Sequence, residues 1–497
     1  MTRAPQKRAA TLTLLTCLIG AVSAAPATRD ASAHHDVVDT SRAFQTIDNF
    51  GASDAWTIQM LGKWETPARD RAAELLFSKD KGIGLSCWRF NIGGGVQMET
   101  IPQRFRTAET FEVSPGKYDW TRQAGEQWFL RKSAEYGVEQ RLAFVNSPPG
   151  RMTRSGLTNA GKVEGPTNFK DGMEGAYATY LADILDHFRA ESLAFDYISP
   201  LNEPQVDWNG KQEGCRMDNV TIARVTHAVA EEFQRRGLPA KLISPESATT
   251  VDMARLSTRP TTRWGYAVGD YIDVLSADPE FARASGKTLC HHLYNAFEGP
   301  NLFTACRELH DKMAKLPDWK IWMSEICIMH PKRDLGMDSA LTLAKMMHAV
   351  MSVEGASAFQ WWLAVSPYDY RDGLLYTTWQ HPGDEEDLTE SKMLWAFGNF
   401  SRFIRPGWRR VALSGEGHSE TGLMASAYVD PTGEKVAAVY VNTLPAPQRV
   451  HLASKDGPWT SLRAFETSAA KNLEESTTQD GWATVPAHSV VTLLAEK

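Results

Sequence analysis

The chain has 497 residues, 42% hydrophobic and 23% charged, with a formal charge of −7. That length exceeds one ordinary core and admits a barrel of about 250–400 residues with a smaller domain beside it. The acidic balance argues against nucleic acid or an anionic membrane as partner, because both attract basic surfaces.

The first 24 residues read as a secretory leader. Arg3, Lys7 and Arg8 form a positive start, Leu12 to Val22 is a short apolar run, and Val22-Ser23-Ala24 is a small-residue cleavage site. The run is short and no second span follows, so no membrane association is expected once it is cleaved. Cleavage removes three cations and no anions, which moves the formal charge from −7 to −10. Residues 36–48, most strand-like at 43–47, form an N-terminal strand expected to join a C-terminal β-domain.

From residue 49 to 404, short apolar runs alternate with helical patterns. Strands are expected near 50–55, 84–92, 140–146, 195–200, 241–245, 287–294, 320–326 and 356–362. Amphipathic stretches such as 120–136, 175–190, 221–236 and 338–353 lie between them. Eight strands with intervening helices predict a closed (β/α)8 TIM barrel. An open doubly wound sheet lacks support, since no Gly-rich strand-to-helix fingerprint occurs. Gly93-Gly94-Gly95 has no Lys-Ser/Thr after it and reads as a loop. Arg405-Pro406-Gly407 then breaks a helix over 394–403. Alternating runs at 422–429, 436–442, 448–452, 462–466 and 489–494 follow, with turn signals such as Asp430-Pro431-Thr432-Gly433. Residues 405–497 are therefore expected to form an antiparallel β-sandwich side domain.

Cys87, Cys215, Cys290, Cys306 and Cys327 remain after the leader, too few for a disulfide-built scaffold. An oxidising compartment would permit one bridge, with Cys290–Cys306 as a candidate. No C-x-x-C, H-E-x-x-H or calcium-loop pattern occurs, so neither metal nor other cofactor is expected. The 16 Trp residues divide between core filling and flat platforms for sugar rings.

The strand C-termini of a parallel barrel form its working face, so acids at strand ends are the ones to weigh. Glu203 follows Tyr197-Ile198-Ser199-Pro200-Leu201-Asn202, and Glu325 ends Ile321-Trp322-Met323-Ser324. Apolar neighbours desolvate a carboxyl group and tune it for proton transfer. Glycosidic hydrolysis needs one carboxyl group to protonate the leaving oxygen and a second to attack, or to activate water, on the opposite face. Glu203 and Glu325 meet that requirement from separate strands. Taken singly, the first has a turn residue and the second a strand-end ion pair as its alternative reading.

The ordered set of segments resembles glycoside hydrolase family 30. It comprises Phe50-Gly51-Ala52-Ser53, Trp88-Arg89-Phe90-Asn91-Ile92-Gly93, Ser199-Pro200-Leu201-Asn202-Glu203-Pro204, His292-Leu293-Tyr294, Met323-Ser324-Glu325-Ile326-Cys327, Gln360-Trp361-Trp362 and the stretch from Asn399 to Gly407. The resemblance implies a retaining enzyme with Glu203 as acid/base and Glu325 as nucleophile. It also implies Asn202 on the sugar 2-OH, Tyr294 orienting the nucleophile and Arg89 supporting the carboxylates. Trp361 is expected as the sugar platform, with Trp362 facing the other side of the strand. Trp56 either stacks from the first loop or fills core. His292 is expected to be a hydrogen-bonded barrel residue.

One departure concerns Arg151, in Asn146-Ser147-Pro148-Pro149-Gly150-Arg151-Met152, where relatives often carry Trp. It is expected to shape a subsite or contact substrate. The segments Gln205-Val206-Asp207-Trp208 and Gln212-Glu213-Gly214-Cys215 resemble endo-β-1,6-galactanase-like members, which implies a secreted enzyme on β-1,6-linked galactan. Glu213 either binds a hydroxyl or pairs with Arg216. β-1,6-Glucan and xylan are the alternative substrates, and a non-catalytic sugar-binding barrel is the alternative class.

Overall fold

The computed structural model describes residues 33–256, 267–297, 299 and 301–497. The leader and its cleavage site lie outside the described residues.

The barrel closes through eight parallel strand positions. The first four are Asn49–Ser53, Cys87–Asn91, Gln140–Phe144 and Tyr197–Ser199. The fifth is split into Lys241–Leu242, which pairs with the fourth, and Ser244–Ser247, which pairs with the sixth. Ile243 bridges the halves, its amide donating to the Ile198 carbonyl at 2.8 Å. Thr288–His292, Lys320–Glu325 and Ala358–Ser366 follow, and the last pairs with the first. Helices cover these strands from outside, so both faces are buried, including polar residues such as Asn49, Arg89 and Asn91 that point into the barrel. Local chemistry sets the helix ends. In Asn219–Arg236, the Asp218 carboxylate caps the Thr221 amide, and Gly237 takes the left-handed stop at φ 63°.

The side domain is one ten-stranded sheet folded over its own core. Strand Ala33–Thr46 lies inside it, antiparallel to Arg409–Ser414 and parallel to Gln448–Ser454. The sheet is therefore mixed and not purely antiparallel as the turn-rich C-terminal sequence predicts. Only Ile47 and Asp48 separate this strand from the first barrel strand, and that short link dictates its direction.

The two layers share apolar cover. Phe465, Leu473 and Val490 of the sheet join the cluster that holds Ile83 and Phe397 of the barrel. The Asn399 amide donates to the Phe465 carbonyl and the Thr492 hydroxyl, both at 3.0 Å. Ending the chain after Pro406 would expose this seam and strip residues 33–46 of their partners, so the truncated protein should be insoluble. A soluble, fully active truncation would contradict that expectation.

All five described cysteines are buried and free, so the candidate Cys290–Cys306 bridge does not form. Cys290 faces the barrel interior, where the Glu246 amide approaches its sulfur at 3.3 Å. Cys306 lies on the outer helix Asn301–Met313. Among the described residues no helix is long and apolar enough to cross a membrane.

Candidate active site

Three barrel strands deliver glutamates to one cluster, of which Glu203 and Glu325 line a cleft and Glu246 is buried. Glu203 follows the fourth strand in a turn at φ 43°, a region costly for a non-glycine residue. The turn is held because the Glu203 amide donates to the Glu246 carbonyl at 2.9 Å, and the Trp208 indole donates to the Glu203 carbonyl at 3.0 Å. Glu325 ends the seventh strand. Arg89 Nη1 donates to its Oε2 at 2.6 Å and the Tyr294 hydroxyl to its Oε1 at 3.0 Å. Glu246, at the end of the fifth strand, is fully buried with Arg89 Nη2 3.7 Å away and the Ser324 hydroxyl on its carboxylate.

His292 joins all three. Its Nδ1 lies 2.9 Å from Glu203 and 3.5 Å from Glu325, and its Nε2 lies 3.1 Å from Glu246. Burial alone would lower the imidazole, but Glu325, Glu203 and Glu246 together push it up to about 10. It is therefore an imidazolium at neutral pH. Burial would likewise raise Glu246, yet Arg89, His292 and Ser324 bring it down to about 2. Burial raises Glu325 above the ordinary carboxylate range, against the opposing pull of His292 and Arg89.

Removing that pull has a definite sign. In His292→Asn the Glu325 carboxylate loses a cation, its pKa rises further, and the acid limb of kcat/KM should move to higher pH. With an aryl glycoside whose good leaving group needs little acid assistance, the limb reports Glu325 in the attacking role that the family resemblance implies. An unmoved limb, or one shifted to lower pH, would contradict the arrangement.

Glu203, His292 and Glu325 each offer an atom within 4.8 Å of the others, a spacing that also suits a metal ion. A metal ligand must be a neutral imidazole with a free lone pair. Here both ring nitrogens are engaged by carboxylates, so the donor set fits a proton better than a metal.

The cleft above these groups measures about 710 Å3 and is lined by Asn202, Glu203, Trp208, Tyr294, Glu325 and Trp362, among others. Asn202 lines this space, and its Oδ1 is buried without a protein partner. The two tryptophans of the eighth strand are reversed from expectation. Trp361 is fully buried, its indole donating to the Asp372 carbonyl at 2.8 Å. Trp362 lines the cleft instead, because even-numbered residues of that strand face inward, as Gln360 does toward Asn49. Trp56 supports it edge-on at 5.2 Å and is itself buried.

Arg151 does not line the cleft. It forms a two-pronged pair with Glu112, both bonds 2.7 Å, because the hairpin Glu112–Ser114 and Lys117–Tyr118 meets it first. Glu213 neither faces substrate nor pairs with Arg216. It is buried against the Thr107 hydroxyl and Ala108 amide, both 3.2 Å, and burial pushes its carboxyl up to about 8. Arg216 pairs with Asp207 at 3.1 Å. Sequence reasoning missed Glu246, although its own rule of acids at strand ends reaches it once the fifth strand is extended by one residue. It also missed Arg106, in a long loop with no periodicity to mark it.

Two carboxylates facing each other at the strand ends of a parallel barrel form the arrangement that glycosidic-bond chemistry asks for. Residues 34–376 match the O-glycosyl hydrolase family 30, and the chain belongs to that family. An endo-β-1,6-galactanase of Hypocrea rufa is 26% identical over 246 residues, 44% of this chain and 50% of that protein. The match thus spans half the length of that relative. A glucuronoxylanase of Bacillus subtilis is 25% identical over 368 residues, covering 71% of this chain and 72% of its own. A conserved exported protein from Bacteroides fragilis superposes with a TM-score of 0.82 at 27% identity, covering 92% of this chain and 99% of that one.

Proposed function

We propose that this protein is an exported, retaining glycoside hydrolase that cleaves β-1,6-linked galactan from within the chain. The observation that carries the mechanism is the approach of Glu203 and Glu325, with carboxylate oxygens within 4.8 Å. Retaining enzymes hold the two carboxyl groups about 5–5.5 Å apart, whereas inverting ones leave about 6.5–9.5 Å for a water. Glu325 attacks the anomeric carbon while Glu203 protonates the departing oxygen. Glu203 then takes a proton from the water that releases the sugar. With that first proton on Glu203, the anions Glu246 and Glu325 face the cations Arg89 and His292, and the charges balance.

The leader in the sequence supports export, as does the likeness to an exported protein. Galactan is supported by the relative of Hypocrea rufa and by the loop around Trp208. A neutral polymer suits the cleft, whose lining includes Glu203, Glu325, Asp369 and Asp372 against one cation, Arg106. Xylan is the second reading, favoured by the longer match to the glucuronoxylanase. Digesting β-1,6-galactan, β-1,6-glucan and xylan with the mature protein and sizing the products decides among them. Galacto-oligosaccharides of retained β-configuration are expected. Release from xylan alone would replace galactan with the second reading, and binding without turnover would leave a carbohydrate-binding protein.

A further inference from the structure

The groove does not end at the catalytic compartment. A second cavity of about 400 Å3 continues it, and Arg106, Val206, Trp208 and Gln212 line both. The outer one adds polar side chains, Asn209 and Lys211 among them. Arg106 forms the crossing. Its Nε donates to the Tyr368 hydroxyl and its Nη1 to Gln212 Oε1, both at 2.9 Å. The guanidinium carbon also stands 5.2 Å from the Tyr368 ring centre. These three residues come from the loops after the second, fourth and eighth strands, so the bridge spans the groove.

Arg106 makes no ion pair among the described residues, and its two partners are neutral. A guanidinium carries five N–H donors, of which these bonds use two, leaving Nη2 for a ligand. Trp208 completes the crossing as a fixed plate. Its backbone is at φ 50°, and Gly214 lies so close beneath the ring that a Cβ there would meet it at 2.1 Å. The plate is half-buried and borders both compartments.

We propose that Arg106 is a specificity-determining residue that divides the groove into inner and outer sugar subsites, with Trp208 as the plate under the unit that crosses between them. The ligand is a neutral oligosaccharide long enough to reach over the bridge, which rests on the hydrolase reading above. The free donors of Arg106 take hydroxyl or ring oxygens of the crossing unit, while the Trp208 face covers its C–H face. Arg106 and Trp208 also border the inner compartment, but only a chain that crosses between the two engages both at the boundary unit.

The test is kcat/KM along a ladder of β-1,6-galacto-oligosaccharides, with xylo-oligosaccharides in parallel, for the wild type, Arg106→Ala and Arg106→Lys. In the wild type kcat/KM should climb with chain length. In Arg106→Ala the ratio of longest to shortest substrate should fall about 10- to 100-fold, the size expected for losing charge-assisted hydrogen bonds. Arg106→Lys keeps the charge but cannot bridge two loops, and should recover part of the ratio. A purely structural arginine would lower kcat/KM equally at every length, and an unchanged ratio in both variants would overturn the proposal. If Arg106→Ala does not fold, the ratio in Arg106→Lys decides alone. No turnover by the wild type on either ladder would remove the galactan and xylan readings and this one with them. Turnover with an unchanged ratio would remove only the subsite division.

Discussion

Glu325→Gln should lower turnover by about 10^4-fold or more, because an amide has the shape of the carboxylate but is a poor nucleophile. The fold should survive. Arg89 keeps Glu246 as a counter-ion, and the amide oxygen still accepts from Tyr294. The lost charge-assisted bond to Arg89 should cost about 1–3 kcal/mol, readable as a modest drop in melting temperature. Activity above a hundredth of wild type in a correctly folded variant would exclude Glu325 as the nucleophile. An inactive variant that still binds oligosaccharide would also be a convenient way to observe the Arg106 crossing with substrate in place.

Glu203→Ala should behave differently. Its loss, about 10^2- to 10^4-fold, should be greatest on substrates with poor leaving groups, since those depend most on proton donation. On activated aryl glycosides the first step needs little acid, and Glu325 still forms the glycosyl-enzyme. Azide can then enter the space vacated beside Asn202 and attack without base help, restoring turnover with a β-glycosyl azide as product. Equal losses on good and poor leaving groups without azide rescue would give Glu203 another role. The two variants thus separate acid/base from nucleophile, which the near-symmetric contacts of His292 with both carboxylates do not.

The differences between sequence expectation and structure fall where short-range rules lose their grip. The Trp361/Trp362 reversal is a question of parity. A one-residue error in assigning a strand face exchanges inside for outside, and the eighth strand is buried on both faces, so no exposed face marks which side meets the cleft. Arg151 and Arg106 exchange places for another reason. Each is a loop arginine, and its partner depends on which loop folds nearest: a hairpin glutamate for Arg151, a glutamine and a tyrosine from two distant loops for Arg106. Glu246 was hidden by the break in the fifth strand, which places the acid one position beyond the apolar run.

Local patterns in the sequence were enough to determine the eight strand positions, the helices between them, the β-rich C-terminal region and the glutamates at the ends of strands four and seven. Each of these rests on periodicity, capping or breaking within a few residues, and such forces act before the chain closes. Only the tertiary structure decided that Glu203, Glu246 and Glu325 share His292, that Trp362 rather than Trp361 meets the cleft, and that Arg106 bridges it. Those outcomes depend on barrel closure and loop packing. They bring together residues far apart in the chain and, once water is excluded, make each charge answer to the charges around it rather than to its neighbours in sequence.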